Sequence, residues 1–236
     1  MTSSLLAIDA STEACTVAFG SGERVVYRYS EQPRRHAQLI LPMVDEVLAE
    51  AGVALTQVDG VAFGRGPGAF TGLRIAAGVV QGLAFALDVP VVPVSSLAII
   101  AQRAFREHKV RRIHVAMDAR MGEVYWGRFV VGDDELVELV SKEVLSVPED
   151  IGVRSGAVEE QNVHWFGAGS GWCYGDLLSG HPPSVKAWDQ NIYPHGLDLM
   201  PLAQSCYRNG LIVSAEEAQP VYLRNKVAVK KTVSGR

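Results

Sequence analysis

The stretch "VAFGRGPGAFTGLRIAAGVVQGLAFAL", residues 61–87, leads from an apolar strand through a glycine-rich loop into an apolar helix. Glycine-rich loops before helices often bind phosphate, because glycine permits close backbone approach and a helix N-terminus attracts anions. This loop has no Walker lysine, and Ala69 stands where a dinucleotide-binding loop has its last glycine. We therefore predict mainly a tight turn, with Gly66 and Gly68 as weak nucleotide-binding candidates and Thr71 as the helix cap.

The segments around this stretch alternate between short apolar strands and longer periodic helices. Strands are predicted at 5–8, 15–20, 24–29, 58–63 and 89–94, and helices at 36–51, 73–87 and from Leu97 onward. Gly52 is the predicted stop of the first helix, and Ser95 or Ser96 the predicted cap of the third. The order β-β-β-α-β-α-β-α predicts an α/β protein with a mixed sheet covered by helices.

The same pattern then recurs further along the chain. "AIDA" at 7–10 returns as "AMDA" at 116–119, and "FGRGPG" at 63–68 returns as "FGAGSG" at 166–171. Matching order and similar spacing predict a duplication into two lobes, residues 1–105 and a more degraded copy at 106–236. The break falls near "REHKVRR" at 106–112. The alternative is that short patterns of this kind recur by chance in α/β proteins.

In each predicted lobe, one aspartate ends the first strand. Asp9 and Asp118 could face a cleft between the lobes, where a carboxylate can hold a magnesium–phosphate group. The alternative is structural, because an aspartate at a strand end often caps the following hairpin through its side chain.

The first two helices carry more apolar surface than a sheet can cover. The apolar arc of helix 36–51 spans roughly 200°, against about 100° for an ordinary surface helix. With Leu41, Val44 and Leu48 facing the core, the remaining surface predicts an interface with a second copy or a different chain. The predicted interface residues are His36, Leu39, Ile40, Met43, Val47, Arg74, Ala77, Gly78, Gln81 and Phe85.

Glycines at 78 and 82 would let another backbone approach this interface closely. A glutamate at Ala77 or Met43 is then expected to dissociate the assembly without disturbing the fold. The alternative is that the second lobe covers both helices.

Composition limits the class of protein. A net charge of -4 argues against a nucleic-acid binder driven by overall charge, and three scattered cysteines without CxxC indicate a reducing compartment. We see no basic signal-like start and no HxxxH or HExxH metal motif, so we expect a cytoplasmic protein without membrane contact or its own metal. The basic end "YLRNKVAVKKTVSGR" suggests either a solvated tail or a contact with RNA phosphates.

Several of these segments together resemble one known family. "LLAIDASTEACTVAF", "HAQLILPMVDEVLAEAG", "GRGPGAFTGLRIAAGVVQGLAFAL", "DARMGEVYWG" and "PVYLR" are similar to the bacterial TsaB family, also called YeaZ. The resemblance is densest over 5–101 and loosest over 144–202. It implies the actin-like ATPase (RNase H-like) fold, which agrees with the duplication.

The resemblance also implies a role in making threonylcarbamoyladenosine beside the tRNA anticodon. By this resemblance the chain is expected to be a non-catalytic platform for the catalytic subunit TsaD, joined by the ATPase TsaE, and to form a homodimer when isolated. ATP or ADP and the metal are expected on the partner subunit, and tRNA contact is expected to be indirect.

Departures from the catalytic relatives fit a non-catalytic role. The HxxxH metal motif of TsaD-like proteins is broken here, because Ile40 stands four residues after His36. The glycine that usually follows the phosphate-hairpin aspartate is replaced by "AST" at 10–12. Two alternatives stay open: an autonomous actin-fold ATPase or small-molecule kinase, and a direct tRNA binder.

Overall fold

The chain forms two mixed sheets in a computed structural model that describes residues 3–151, 164–179 and 185–224. The first sheet has the order β3-β2-β1-β4-β5. Strands β1, β2 and β3 are antiparallel neighbours, whereas β1, β4 and β5 run parallel. The strand bounds are β1 Ser4–Asp9, β2 Cys15–Ser21, β3 Arg24–Ser30, β4 Gly60–Gly64 and β5 Val91–Val94.

The second sheet repeats this topology. Its order is β11-β10-β6-β7-β8, with β9 beside β7; β6 and β7 are antiparallel, and β6, β10 and β11 run parallel. Phe63 on β4 and Phe166 on β10 lie on equivalent strands, as the repeated glycine pattern predicts. The actin-like fold with mixed sheets is therefore confirmed. The bounds are β6 Arg112–Asp118, β7 Val124–Val131, β8 Val137–Leu139, β9 Val144–Ser146, β10 Trp165–Ala168 and β11 Val185–Asp189.

The helix ends follow local capping chemistry. The first helix has its predicted bounds, because Gly52 adopts a left-handed conformation with φ 71° and closes its last turn. The Ser95 side chain accepts the N–H groups of Leu97 and Ala98, so that cap is confirmed. The described helices are α1 His36–Ala51, α2 Phe70–Leu87, α3 Ser96–His108, α4 Gly175–Ser179 and α5 Gly196–Arg208, with 3₁₀ turns at Leu55–Gln57, Pro148–Asp150 and Ser170–Tyr174.

The start of α2 differs from the prediction. The helix begins at Phe70, its N-cap is Ala69, and no side chain caps it. Thr71 is exposed in the first turn, so the prediction that it caps the helix is wrong. The N–H of Ala69 donates to the carbonyl of Ser11 at 2.8 Å. This hydrogen bond holds the end of the glycine-rich loop against the turn after β1, and the helix begins at the next residue.

The core is continuous between the two sheets. Helices α1 and α2 cover the outer face of the first sheet, where alternate β1 residues such as Leu6 and Ile8 are buried. The other β1 face, with Leu5 and Ala7, belongs to a core that also contains Ile113 of β6. Burial of this shared apolar surface joins the two halves.

Two helices in this shared core each pack on the sheet of the other half of the molecule. Helix α3 follows β5 in the chain but packs on β6, β7 and β8 of the second sheet. Helix α5 follows β11 but packs on all five strands of the first sheet. The predicted lobe boundary after residue 105 falls inside α3, so the division into 1–105 and 106–236 stays a prediction.

Helix α2 alone among the described helices has the length and composition of a membrane span. Its mean hydropathy is 1.5 over 18 residues, and a third of them are buried. One such helix is weak evidence, since core helices of globular proteins pass the same test, and α2 packs on β4, β1 and β5.

Candidate functional site: the outer helices and the interlobe cleft

The carboxylate of Asp9 is enclosed by protein. It accepts hydrogen bonds from the backbone N–H and hydroxyl of Ser11, both at 2.9 Å, and from the Ser96 hydroxyl at 3.3 Å. A Cβ added at Gly64 would lie 1.6 Å from Asp9 Oδ2, so the carboxylate packs directly on the β4 backbone. Burial raises the pKa of Asp9 to about 6, although the Ser11 and Ser96 hydrogen bonds oppose that rise.

Asp9 therefore does not face a cleft, and the prediction that it does is wrong. It ends β1 and caps the turn towards Ser11, which is the structural alternative. Asp118 ends β6 in the same way, accepting the N–H of Arg120 at 3.0 Å. Its side chain is partly exposed and lines a cavity between the two halves. The two copies thus share the capping role but differ in exposure.

The two predicted loop glycines have different surroundings. Gly66 has φ 99°, donates its N–H to the Ser96 hydroxyl at 3.2 Å, and is buried away from the cavity. Gly68 lines the cavity, and a Cβ there would lie 2.4 Å from the Ser11 carbonyl oxygen. Both positions need glycine for close packing of the backbone, which supports the reading of the loop as a tight turn.

The cavity between the halves, called here the interlobe cleft, has a volume of about 570 Å³. Its described lining includes two arginines, and both are already paired. Arg120 contacts Glu13 at 2.8 Å and Asp118 at 3.2 Å, and Arg224 contacts Glu123 at 2.6 Å. The lining residues are Ser11, Thr12, Glu13, Gly68, Ala69, Phe70, Thr71, Met117, Asp118, Ala119, Arg120, Tyr125, Ser170, Cys173, Tyr193 and Arg224.

The two arginines of this lining are therefore engaged with carboxylates. A phosphate would have to displace a carboxylate to gain an arginine, and Gly66 is turned away from the cavity. Over the described ranges, no three His, Cys, Asp or Glu side chains converge as metal ligands.

Helix α1 buries the predicted core residues Val44 and Leu48, but its buried face is wider than predicted. His36, Ile40, Met43 and Val47 are buried by the chain's own fold, so their assignment to an uncovered interface is wrong. Leu39 is half-buried against the core between the first sheet and helices α1 and α2.

Leu41, which we predicted in the core, is 51% exposed. Arg28 on β3 lies beside another side of α1, where it pairs with Glu46 at 2.7 Å and Glu50 at 2.8 Å. Those contacts turn the Glu50 side of α1 towards β3. Leu41 lies on the opposite side of the helix from Glu50.

One flank of α2 is covered by residues 218–222. Ala77 is buried, the Gln81 amide donates to the Ala218 carbonyl at 3.2 Å, and the Arg74 guanidinium donates to the Tyr222 hydroxyl at 3.4 Å. The alternative that the chain covers its own helix thus holds for part of the predicted surface. The "PVYLR" segment was noted only as part of the family resemblance, and its packing on α2 was not predicted, because residues 209–224 contain no described helix or multi-residue strand.

A narrower strip of α2 remains uncovered. It consists of residues at intervals of three or four along the helix, and we call it the docking face: Thr71, Arg74, Gly78, Gly82 and Phe85. Phe85 is 74% exposed, and a Cβ added at Gly78 or Gly82 would meet no atom within 4 Å. Of the predicted α2 interface residues, Arg74, Gly78 and Phe85 are exposed, Gln81 is half-buried, and Ala77 is buried.

Comparison with known proteins agrees with this architecture. Residues 30–166 match the family model described as "TsaD: tRNA N6-adenosine threonylcarbamoyltransferase". The fold and this match place the chain in the actin-like class that includes the TsaD-like proteins.

Relatives narrow the assignment. The chain is 38% identical to the tRNA threonylcarbamoyladenosine biosynthesis protein TsaB of Escherichia coli K12 over 227 residues, covering 96% of this chain and 97% of that protein. It is 42% identical to TsaB of Haemophilus influenzae over 236 residues, with 96% of each covered. The structure of YeaZ from Pseudomonas aeruginosa matches with TM-score 0.87 and 51% identity, covering 94% of this chain and 100% of that one. The chain belongs to the TsaB family.

Proposed function

We propose that this protein is a non-catalytic scaffold subunit in tRNA threonylcarbamoyladenosine biosynthesis, which binds and supports a TsaD-type catalytic subunit. The docking face carries the proposal. An exposed phenylalanine in line with two exposed helix glycines is costly on an isolated surface, because glycine weakens a helix and a large apolar side chain is left in water. Both costs are recovered when a second helix packs against them.

The interlobe cleft supports assigning the chemistry to the partner. Asp9 is buried, and both lining arginines are engaged with carboxylates. We therefore propose that ATP or ADP and the metal bind the TsaD subunit, that the ATPase TsaE joins the complex, and that tRNA contacts this chain indirectly. The location we propose is the cytoplasm. The basic residues Lys226 to Arg236, which a tRNA-binding tail would use, lie outside the described residues.

The interface is tested by Phe85→Glu on the docking face. We expect a melting temperature within about 2 °C of the parent, because the side chain is already in water, and at least about tenfold weaker association with the TsaD subunit. Titration calorimetry measures the heterodimer, and light scattering after size exclusion measures the homodimer. Leu177→Glu on α4 is the matched control, since Leu177 is also exposed. Unchanged association of Phe85→Glu with TsaD contradicts the proposal.

Nucleotide binding separates the scaffold proposal from the alternative of an autonomous ATPase. The scaffold proposal makes the following prediction. Calorimetry of magnesium–ATP with the isolated protein should detect no binding at micromolar concentrations and no turnover, because every described arginine in the cleft is paired. Micromolar binding accompanied by phosphate release would overturn the scaffold assignment in favour of an enzyme.

A further inference from the structure

The last described residues of the chain, 219–224, cross from the first half of the molecule to the second. The N–H of Val221 donates to the carbonyl of Arg65 at 2.8 Å, and Leu223 packs against the shared core. These residues form no described helix or strand, so this backbone hydrogen bond and side-chain contacts hold the segment in place.

One end of the segment is attached to the first turn of α2. The Tyr222 ring stacks on Phe70 with centroids 5.0 Å apart and planes 26° from parallel. The Arg74 guanidinium lies 5.9 Å from both ring centroids and donates to the Tyr222 hydroxyl. Stacked rings with a cation beside them stabilise each other by about 1 kcal/mol, so Tyr222 is a real anchor.

The other end is attached to the turn between β6 and β7. The Arg224 guanidinium donates to the carbonyl of Ala119 at 3.0 Å and pairs with Glu123 at 2.6 Å. Within that turn Arg120, Met121 and Gly122 have φ values of 64°, 60° and 76°. Left-handed conformations cost ordinary residues roughly 1–2 kcal/mol each, so this turn depends on contacts such as Arg224 to keep its shape.

The β6–β7 turn forms one wall of the interlobe cleft, and Arg120 reaches Glu13 on the other wall. That ion pair is too exposed to hold the walls together by itself. We propose that residues 219–224 are a strap, which ties the first turn of α2 to the β6–β7 turn and sets the width of the interlobe cleft. When the strap is seated the cleft is narrow, and when it is displaced the turn relaxes and the cleft opens.

The strap also lies beside the docking face. Arg74 belongs to that face, and Tyr222 is 39% exposed next to it. A partner seated on α2 would therefore contact the strap and change the cleft from a distance. This last step rests on the proposed function, whereas the strap itself is a property of the isolated chain.

Reciprocal substitutions in the full chain test the strap, with amide hydrogen exchange as the measurement. Tyr222→Ala should speed exchange at Ala119 and Glu123, which Tyr222 does not touch, by at least about fivefold. Arg224→Ala should do the same at Ala69 and Leu73, at the far end of the strap. Each effect appears across the cleft from its substitution, which loss of a local contact would not produce.

The controls separate strap release from unfolding. Tyr222→Phe keeps the stacked ring, and Arg208→Ala removes an exposed arginine at the end of α5, so both should leave all four amides unchanged. Amides within β1 and β6 should exchange as in the parent. If Arg224→Ala unfolds the chain, Arg224→Lys is measured by the same criterion. Faster exchange confined to each residue's own contacts overturns the strap, whether or not the protein binds TsaD.

Discussion

At the residue scale, Asp9 shows how one side chain can keep a motif's position without its chemistry. Its carboxylate is covered by Gly64 and held by Ser11 and Ser96, so it joins β1, β4 and the start of α3. The sequence correctly placed Asp9 at the end of a strand. It could not predict which way the carboxylate points, because that depends on Gly64 leaving space on a neighbouring strand.

Asp9→Asn tests this role through the pH dependence of stability. The folded protein holds the Asp9 proton up to pH about 6, whereas an ordinary aspartate releases it near 3.8. Folding therefore takes up a proton between these values, and stability falls as pH rises from about 4 to 6 and then levels off.

An asparagine side chain does not titrate, so the Asp9→Asn variant should not show this decrease in stability between pH 4 and 6. The decrease amounts to about 3 kcal/mol for a pKa shift of this size. Urea unfolding at pH 4, 5, 6 and 7 measures the difference. Parallel profiles for the parent and the variant would mean that Asp9 titrates normally.

At the element scale, each side of α2 has different neighbours. The helix packs its buried side on the first sheet, one flank against residues 218–222, and leaves the docking face free. Hydrophobic periodicity predicted the helix and its excess apolar surface. It could not distinguish coverage by a partner from coverage by the chain's own C-terminal segment, because both bury the same residue types. Ala77→Glu and Met43→Glu therefore no longer test an interface, since both would bury a charge in the core.

Alanine substitutions at two glycines of α2 should have opposite effects on the stability of the protein. At Gly72 a Cβ would lie 1.8 Å from the Ala10 carbonyl oxygen, so Gly72→Ala should destabilise the protein by more than about 3 kcal/mol. At Gly78 there is open space, and Gly78→Ala should stabilise the isolated protein by about 1 kcal/mol.

Chemical denaturation measures both variants against the parent. Because Gly78 lies on the docking face, its alanine variant should also bind TsaD more weakly despite the added stability. Equal effects of the two substitutions on stability would contradict the packing described for α2.

At the scale of the whole molecule, the repeated patterns predicted the duplicated fold but not the exchange of helices. "AIDA" and "AMDA" mark β1 and β6, and the two glycine patterns mark β4 and β10. Amphipathic periodicity shows which side of α3 is buried, yet carries no information on which sheet covers it. A cleft between the lobes was predicted, but its lining and the strap were not, because both are made by residues distant in sequence.

The exchange predicts that residues 1–105 do not fold alone. The inner face of their sheet, with Leu5 and Ala7, is covered by α5, and α3 would be cut before its last residues. The fragment should lack a cooperative thermal transition by circular dichroism, whereas the full chain should have one. A cooperative transition in the fragment would instead support two independent lobes.

The position of α5 also bears on how the chain is made. A ribosome releases the five strands of the first sheet long before residues 196–208, which complete that sheet's inner layer. A nascent chain must therefore carry an uncovered apolar sheet through most of its synthesis. Such a surface attracts holding chaperones and other emerging chains, so the rate of translation through the second half determines how long that exposure lasts.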